Sequence, residues 1–282
     1  MALRITRLKP EHRKIFQSYN RKAAYTHRHM DWLEPEDILE NGLIFLLFNE
    51  NQIIGSLGVS SESDHYRWLQ FFIVYDELQD IRKVWTILWR SIKTQPELSG
   101  CCILTVPVDS GMRYCLQTSA FHQNGSIVYF EVPSDASVSV RKENLNTKVK
   151  IGELNNALTE TLLQFVEPAF PVAWRLSKIN LSRAINSSNI TYLAQINRQP
   201  AGYLLAFREE NSIHISRIAV RPAVQNQGIG MTMMAQLLAD YPKTQETTLS
   251  VNTYSQDTGA IQFYKKLGFI QTNQYYPVYF YR

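Results

Sequence analysis

Two stretches of this chain follow one plan. LIFLLFNENQIIGSLGV (Leu43 to Val59) is an apolar run, a polar turn and a second run with Gly55; ITYLAQINRQPAGYLLAF (Ile190 to Phe207) repeats it with Gly202, 147 positions later. Each reads as a β-hairpin, since apolar runs broken by a short Asn-containing turn favour two paired strands. The match continues in order. RWLQFFIV is followed 146 positions later by IHISRIAV, and a helical pattern follows each, LQDIRKVWTILWRSI and QGIGMTMMAQLLADY. Next come strands CILTVPV and TTLSVNT, then an aromatic helix and strand ending each half. Ala120-Phe121 and Gly268-Phe269 stand 148 apart.

Four pairings in order at a nearly constant offset predict a duplicated α/β (α+β) fold. Each copy is expected to be a mixed, mostly antiparallel sheet flanked by helices. The expected boundaries are residues 1–134 and 148–282, with 135–147 as a linker poor in apolar anchors.

The second copy contains VQNQGIGMTMM. Ile218, Ala219 and Val220 end a strand, which stops near Pro222 because proline has no N–H to give a ladder. From Met231, apolar residues recur at helical spacing. Between them Gln225, Asn226, Gln227, Gly228, Ile229 and Gly230 make a strand-to-helix turn. The first N–H groups of a helix lack internal partners, and the dipole adds positive potential there. Two glycines at that point let N–H groups converge on a phosphate or pyrophosphate without a Cβ in the way. A tight turn in which glycine only relieves backbone strain is the other reading. A P-loop would need Lys-Ser/Thr after the glycines, and a dinucleotide fingerprint a third glycine; neither is present.

These residues resemble the Gcn5-related N-acetyltransferase (GNAT) family, whose cofactor loop V-x-P-x-x-[Q/R]-x-x-G-x-[G/A] is matched by Val220, Pro222, Gln225, Gly228 and Gly230. A second family element, N-x-x-A-x-x-x-Y-x-x-x-G-F, is matched by Ala260, Tyr264, Gly268 and Phe269, with Asp257 where Asn is usual. The resemblance implies acetyl-CoA as acyl donor, no metal, and transfer to a primary amine of a small molecule or peptide by direct attack. It implies cofactor contacts from Ile218 to Val220, Gln225 to Gly230, Asp257, Ala260 and Tyr264. It also implies that Tyr264 protonates the leaving thiolate; a phenol of pKa about 10 keeps its proton at neutral pH. His214, six residues before Val220 on the same strand, is the expected base, by its ordinary pKa of about 6.5. A packing role for Tyr264 and a solvent-facing role for His214 are the plainer alternatives. A non-catalytic acyl-CoA-binding module is the alternative function.

The acceptor is expected near FVEPAFPVAW, where Glu167 offers a carboxylate and Phe165, Phe170 and Trp174 an apolar wall. The first copy has lost the loop: by the same offsets Arg82 and Val84 replace the glycines, Gln79 stands at Gln225, and Leu116 replaces the tyrosine. That copy is expected to bind no cofactor.

Composition narrows the remainder. A net charge of +4 fits an anionic small ligand as well as weak nucleic-acid contact and decides nothing alone; no nucleic-acid partner is expected. No run of 18 apolar residues suggests a membrane span. Three cysteines (Cys101, Cys102, Cys115) without paired spacing read as reduced core residues. MALRITRLKPEHRK lacks the apolar centre of a secretory leader. A cytoplasmic location is expected.

Overall fold

The computed structural model describes residues 3–9, 13–20, 22–29, 35–38, 42–60, 65–133, 140–241 and 247–282. Residues 135–139 of the expected linker lie outside these. The chain divides into two compact units, Met1–Gly125 with Tyr276–Arg282, and Ser126–Tyr275.

The first unit begins with β1 (Leu3–Arg7), α1 (Arg13–Asn20) and β2 (Tyr25–Arg28). The hairpin β3 (Gly42–Asn49) and β4 (Gln52–Ser60) follows, then β5 (Tyr66–Val74), α2 (Ile81–Ile92), β6 (Cys102–Thr105) and α3 (Ser110–Gln117). Strand β3 carries Leu43, Phe45 and Leu47 on one face and Ile44 and Leu46 on the other, each in a separate core cluster. A strand covered on both faces needs apolar residues at every position, which explains the unbroken run LIFLLF. Helix α2 lays Val84, Trp85, Leu88, Trp89 and Ile92 into the first of these clusters.

Strand β5 pairs in parallel with β6 only from Tyr66↔Cys102 to Trp68↔Leu104. Beyond that point β2 runs antiparallel along it, from Tyr25↔Val74 to Arg28↔Phe71. His27 Nε2 lies 2.9 Å from Thr105 Oγ1 and ties β2 to β6.

The second unit follows the same order except that a helix, α5, and no strand stands between its first helix and its hairpin: β8 (Lys150–Glu153), α4 (Thr159–Phe165), α5 (Lys178–Ser187), β9 (Ile190–Ile196), β10 (Gln199–Glu209), β11 (Ser212–Val220), α6 (Ile229–Asp240), β12 (Thr248–Tyr254) and α7 (Thr258–Lys266). The β9–β10 turn has Asn197 and Arg198 at φ 52° and 65°, the paired left-handed residues of a type I′ hairpin. Met233, Met234 and Leu237 of α6 are fully buried against this sheet.

Two long strands close the duplicated pattern, β7 (His122–Val132) and β13 (Ile270–Tyr281). Their residues divide between the units. Within the second unit β7 pairs with β12, from Leu249↔Val132 to Tyr254↔Ile127. Within the first, the end of β13 pairs with β6, Tyr279↔Thr105 to Tyr281↔Ile103. The fold class and the duplication expected from the sequence are both present. All three cysteines are free thiols. Among the described residues no helix is long and apolar enough to cross a membrane.

Candidate active site

Strands β11 and β12 run side by side only from Ser212↔Thr248 to Ile215↔Val251. Strand β12 then continues along β7, while β11 continues along β10 alone. Ser216 is an extra residue in β11: Leu205 pairs with Arg217 and Ala206 with Ile215. Its hydroxyl donates to Leu205 O at 3.1 Å. A bulge of this kind bends a strand and increases its twist. The result is a splay, with Ser216–Val220 unpaired on the side away from β10 among the described residues.

The splay leads into the glycine loop. Gln225 Nε2 donates to Val220 O at 3.0 Å. Asn226 takes φ 60° and Gly228 φ 78°, conformations that favour glycine and, next, asparagine. Helix α6 starts at Ile229 with no side-chain cap on its first turn, so its leading N–H groups are left for another acceptor. The close approach to each glycine is made by the protein itself. A Cβ on Gly228 would meet Asn144 O, and one on Gly230 would lie 3.1 Å from the Phe263 ring. Asn146 completes the buttress: its Nδ2 donates to Gln227 O at 2.9 Å, and Thr232 Oγ1 accepts from its N–H at 3.0 Å.

Phe263 brings the second motif to the loop. In α7 Asp257 is the N-cap, its Oδ1 accepting from Ala260 N at 2.9 Å. Aspartate thus does locally what asparagine does at such a position, as both are good caps. Tyr264 is 5% exposed and packs on Phe130, Phe263 and Phe269 at 5.5–6.0 Å between ring centres. Its hydroxyl has no hydrogen-bond partner among the described residues. Burial first, and then the charge of Asp257, push its pKa up, so it holds its proton.

His214 lies in the paired part of β11, opposite Ser250. Its Nδ1 is 2.9 Å from Ser250 Oγ and its Nε2 3.1 Å from Asn252 Oδ1. With Asn252 Oδ1 as acceptor, Nε2 carries the proton and Nδ1 accepts from Ser250. Burial lowers its pKa. His214 is therefore a bonded member of the sheet surface and not the solvent-facing group of the plainer reading.

Glu167 is not free to hold an amine. It is 2% exposed and accepts from Leu176 N at 3.0 Å, from Tyr203 Oη, and from Arg217 Nη2 at 3.1 and 3.2 Å. Arg217 also donates to Trp174 O at 3.3–3.4 Å and lies 3.9 Å over the Phe170 ring. Trp174 packs on Tyr254 at 5.3 Å. The sequence marked Glu167, Phe170 and Trp174 but gave no sign of Arg217 or Tyr203, because a charge that pairs across 50 residues has no local pattern. Phe165 is exposed and contributes no wall. Among the described residues no group of His, Cys, Asp and Glu is placed to hold a metal.

Residues 170–277 match the family model described as an Acetyltransferase (GNAT) domain. A peptidyl-lysine N-acetyltransferase, YjaB, of Salmonella typhimurium is 33% identical over 76 residues, 27% of this chain and 46% of that protein. The spore coat polysaccharide biosynthesis protein SpsD of Bacillus subtilis is 26% identical over 104 residues, 36% of this chain and 34% of that one. The chain therefore spans about a third to a half of the length of these curated relatives. A tandem GNAT protein from the clavulanic acid biosynthesis pathway shares the fold across 99% of this chain and 98% of its own, with a TM-score of 0.59 at 10% identity. The chain has the tandem fold, and residues 170–277 belong to the Gcn5-related N-acetyltransferase (GNAT) family.

Proposed function

We propose that the second unit transfers an acyl group, acetyl in the first instance, from acyl-CoA to a primary amine by direct attack. The observation that carries this is the splay of β11 from β12 opening onto an uncapped, glycine-rich helix start. In this reading the N–H groups of Gln225 to Gly230 take the pyrophosphate, and Ile218 to Val220 offer backbone edges to the pantetheine arm. An N–H at Ala219 or Val220 faces the oxyanion that develops on the thioester carbonyl. Asp257 and Ala260 fix the start of α7, which carries Tyr264.

The proton inventory is short. The amine attacks as the neutral base, the C–N bond forms and the C–S bond breaks. Tyr264 gives its proton to the departing sulfur. The amine's proton passes by way of Ser250 to His214 Nδ1, which is neutral near pH 7 because burial lowers its pKa. The name of the YjaB relative motivates a lysyl peptide as acceptor; the polysaccharide biosynthesis of the SpsD name, joined to the need for an amine nucleophile, motivates an amino sugar as the second class.

Thiol release from acetyl-CoA with each acceptor, beside calorimetry with CoA alone, tests the proposal. Amine-dependent release is expected. CoA binding with no release from either acceptor would leave a binding module, and no CoA binding would refute both.

A further inference from the structure

The duplicated halves solve one problem in two ways. In each, a parallel strand pair separates, after Trp68↔Leu104 in the first unit and after Ile215↔Val251 in the second. In the first unit the segment following α1 enters the opening as β2 and pairs with Phe71–Val74. Ala24 N donates to Val74 O at 2.9 Å, and His29 N to Gln70 O at 2.8 Å. The residues at the same offset of 146 are Arg217–Val220, and there the edge is left open. The corresponding segment, between α4 and α5, forms two short 3₁₀ turns, Glu167–Ala169 and Val172–Trp174.

What differs is the residue at the mouth of the opening. Phe71 stands in the first unit where Arg217 stands in the second. Phe71 is buried among apolar neighbours and offers no hydrogen bond to a passing loop. Arg217 binds Glu167 through both carboxylate oxygens and the Trp174 carbonyl as well. Glu167 is closed off by Tyr203 Oη and Leu176 N, so this buried pair is fully bonded. It fixes both turns at once, because its donors and acceptors span residues 167 to 176. Trp174 is then attached to both diverging strands, through its carbonyl to Arg217 on β11 and through its ring to Tyr254 on β12.

We infer that Glu167 and Arg217 are positioning residues that hold the α4–α5 segment off the open edge of β11 and set Trp174 as the wall of the acceptor site. The inference rests on the proposed acyltransferase reading for its kinetic consequence, and on the fold alone for its structural one. The pair touches neither reacting atom. Its loss therefore moves acceptor binding and leaves cofactor binding in place.

The test uses the full chain with Glu167→Gln and the double variant Glu167→Gln/Arg217→Met. The double variant removes both charges together, which avoids leaving one buried charge unpaired, and its fold is checked by circular dichroism before either readout. In hydrogen exchange of the unliganded double variant, amides of residues 168–176 are expected to exchange at least tenfold faster than in the wild type, with α6 and β12 unchanged. With acetyl-CoA and the better of the lysyl peptide and the amino sugar, acceptor KM is expected to rise at least tenfold, with kcat and CoA affinity within about threefold. Wild-type exchange at 168–176 in a folded double variant would overturn the inference. So would a proportional loss of CoA affinity, kcat and acceptor affinity, which marks a general structural role. Failure of the wild type to turn over either amine would count against the proposed function, while the exchange result would still decide the inference.

Discussion

A Cβ atom on Gly228 would stand 2.5 Å from the carbonyl oxygen of Asn144, closer than real Cβ atoms approach. Gly228 also has φ 78°, a conformation that costs an L-residue roughly 1–2 kcal/mol. Gly228→Ala should therefore distort the loop and weaken acetyl-CoA at least tenfold. Gly152→Ala is the control, because a Cβ there meets nothing within 4 Å. Calorimetry showing equal affinity for the two variants would detach the loop from the cofactor.

Tyr264→Phe keeps the ring among Phe130, Phe263 and Phe269 and deletes the proton donor. If the phenol protonates the thiolate, kcat falls by about 10²–10⁴-fold, the usual contribution of a general acid, with acetyl-CoA affinity nearly constant. An unchanged rate in a chemistry-limited assay would reduce Tyr264 to a packing residue.

One acetyl-CoA per chain is expected. The loop of the first unit is closed by its own carboxylates: Asp80 caps α2 by accepting from Arg82 N at 2.9 Å, and Asp76 accepts from Leu78 N at 3.0 Å. Strand β2 already lines Phe71–Val74. Titration calorimetry giving two sites of similar affinity would contradict this.

Asp257→Ala removes the cap on Ala260 N and should cost about 1 kcal/mol. Asp257→Asn keeps a good capping group and should melt within a degree or two of the wild type. If both variants melt alike, the cap contributes nothing measurable.

His27 gives the first unit an acid sensitivity. It is fully buried, and burial pushes its pKa down to about 4, against a smaller upward pull from Asp109. Unfolded, it titrates near 6.5, so between those values the unfolded chain binds more protons and stability falls as the pH falls. The full contribution is present above pH 6.5 and is lost as pH drops toward 4. Urea midpoints for the wild type should decline from pH 7 to pH 5, and His27→Gln should flatten that slope.

Much of this architecture was legible because it rests on local pattern. Hairpins, the apolar face of α6 and the glycine turn each declare themselves within about twenty residues. The spacing of Asp257, Ala260 and Tyr264 likewise marks one helix start and one ring. The partners of Glu167 were not legible, since Tyr203 and Arg217 lie 36 and 50 residues away. Nor was the reason for Gly228, whose close neighbour belongs to the polar stretch expected to be a plain linker. Strand β2 is four residues of unremarkable sequence, YTHR, and only the divergence of β5 from β6 gives it a place to pair.

The division of β7 and β13 has a consequence for how this chain is made. Each unit depends on sequence from the opposite half: Tyr276–Arg282 complete the first, and residues 126–132 supply β7 to the second. When a ribosome has released residues 1–147, the first unit still lacks the strand that pairs with β6. That strand arrives only after the whole second unit has emerged. Synthesis thus delivers the two units in overlapping order, and a cut at the expected linker leaves neither half whole.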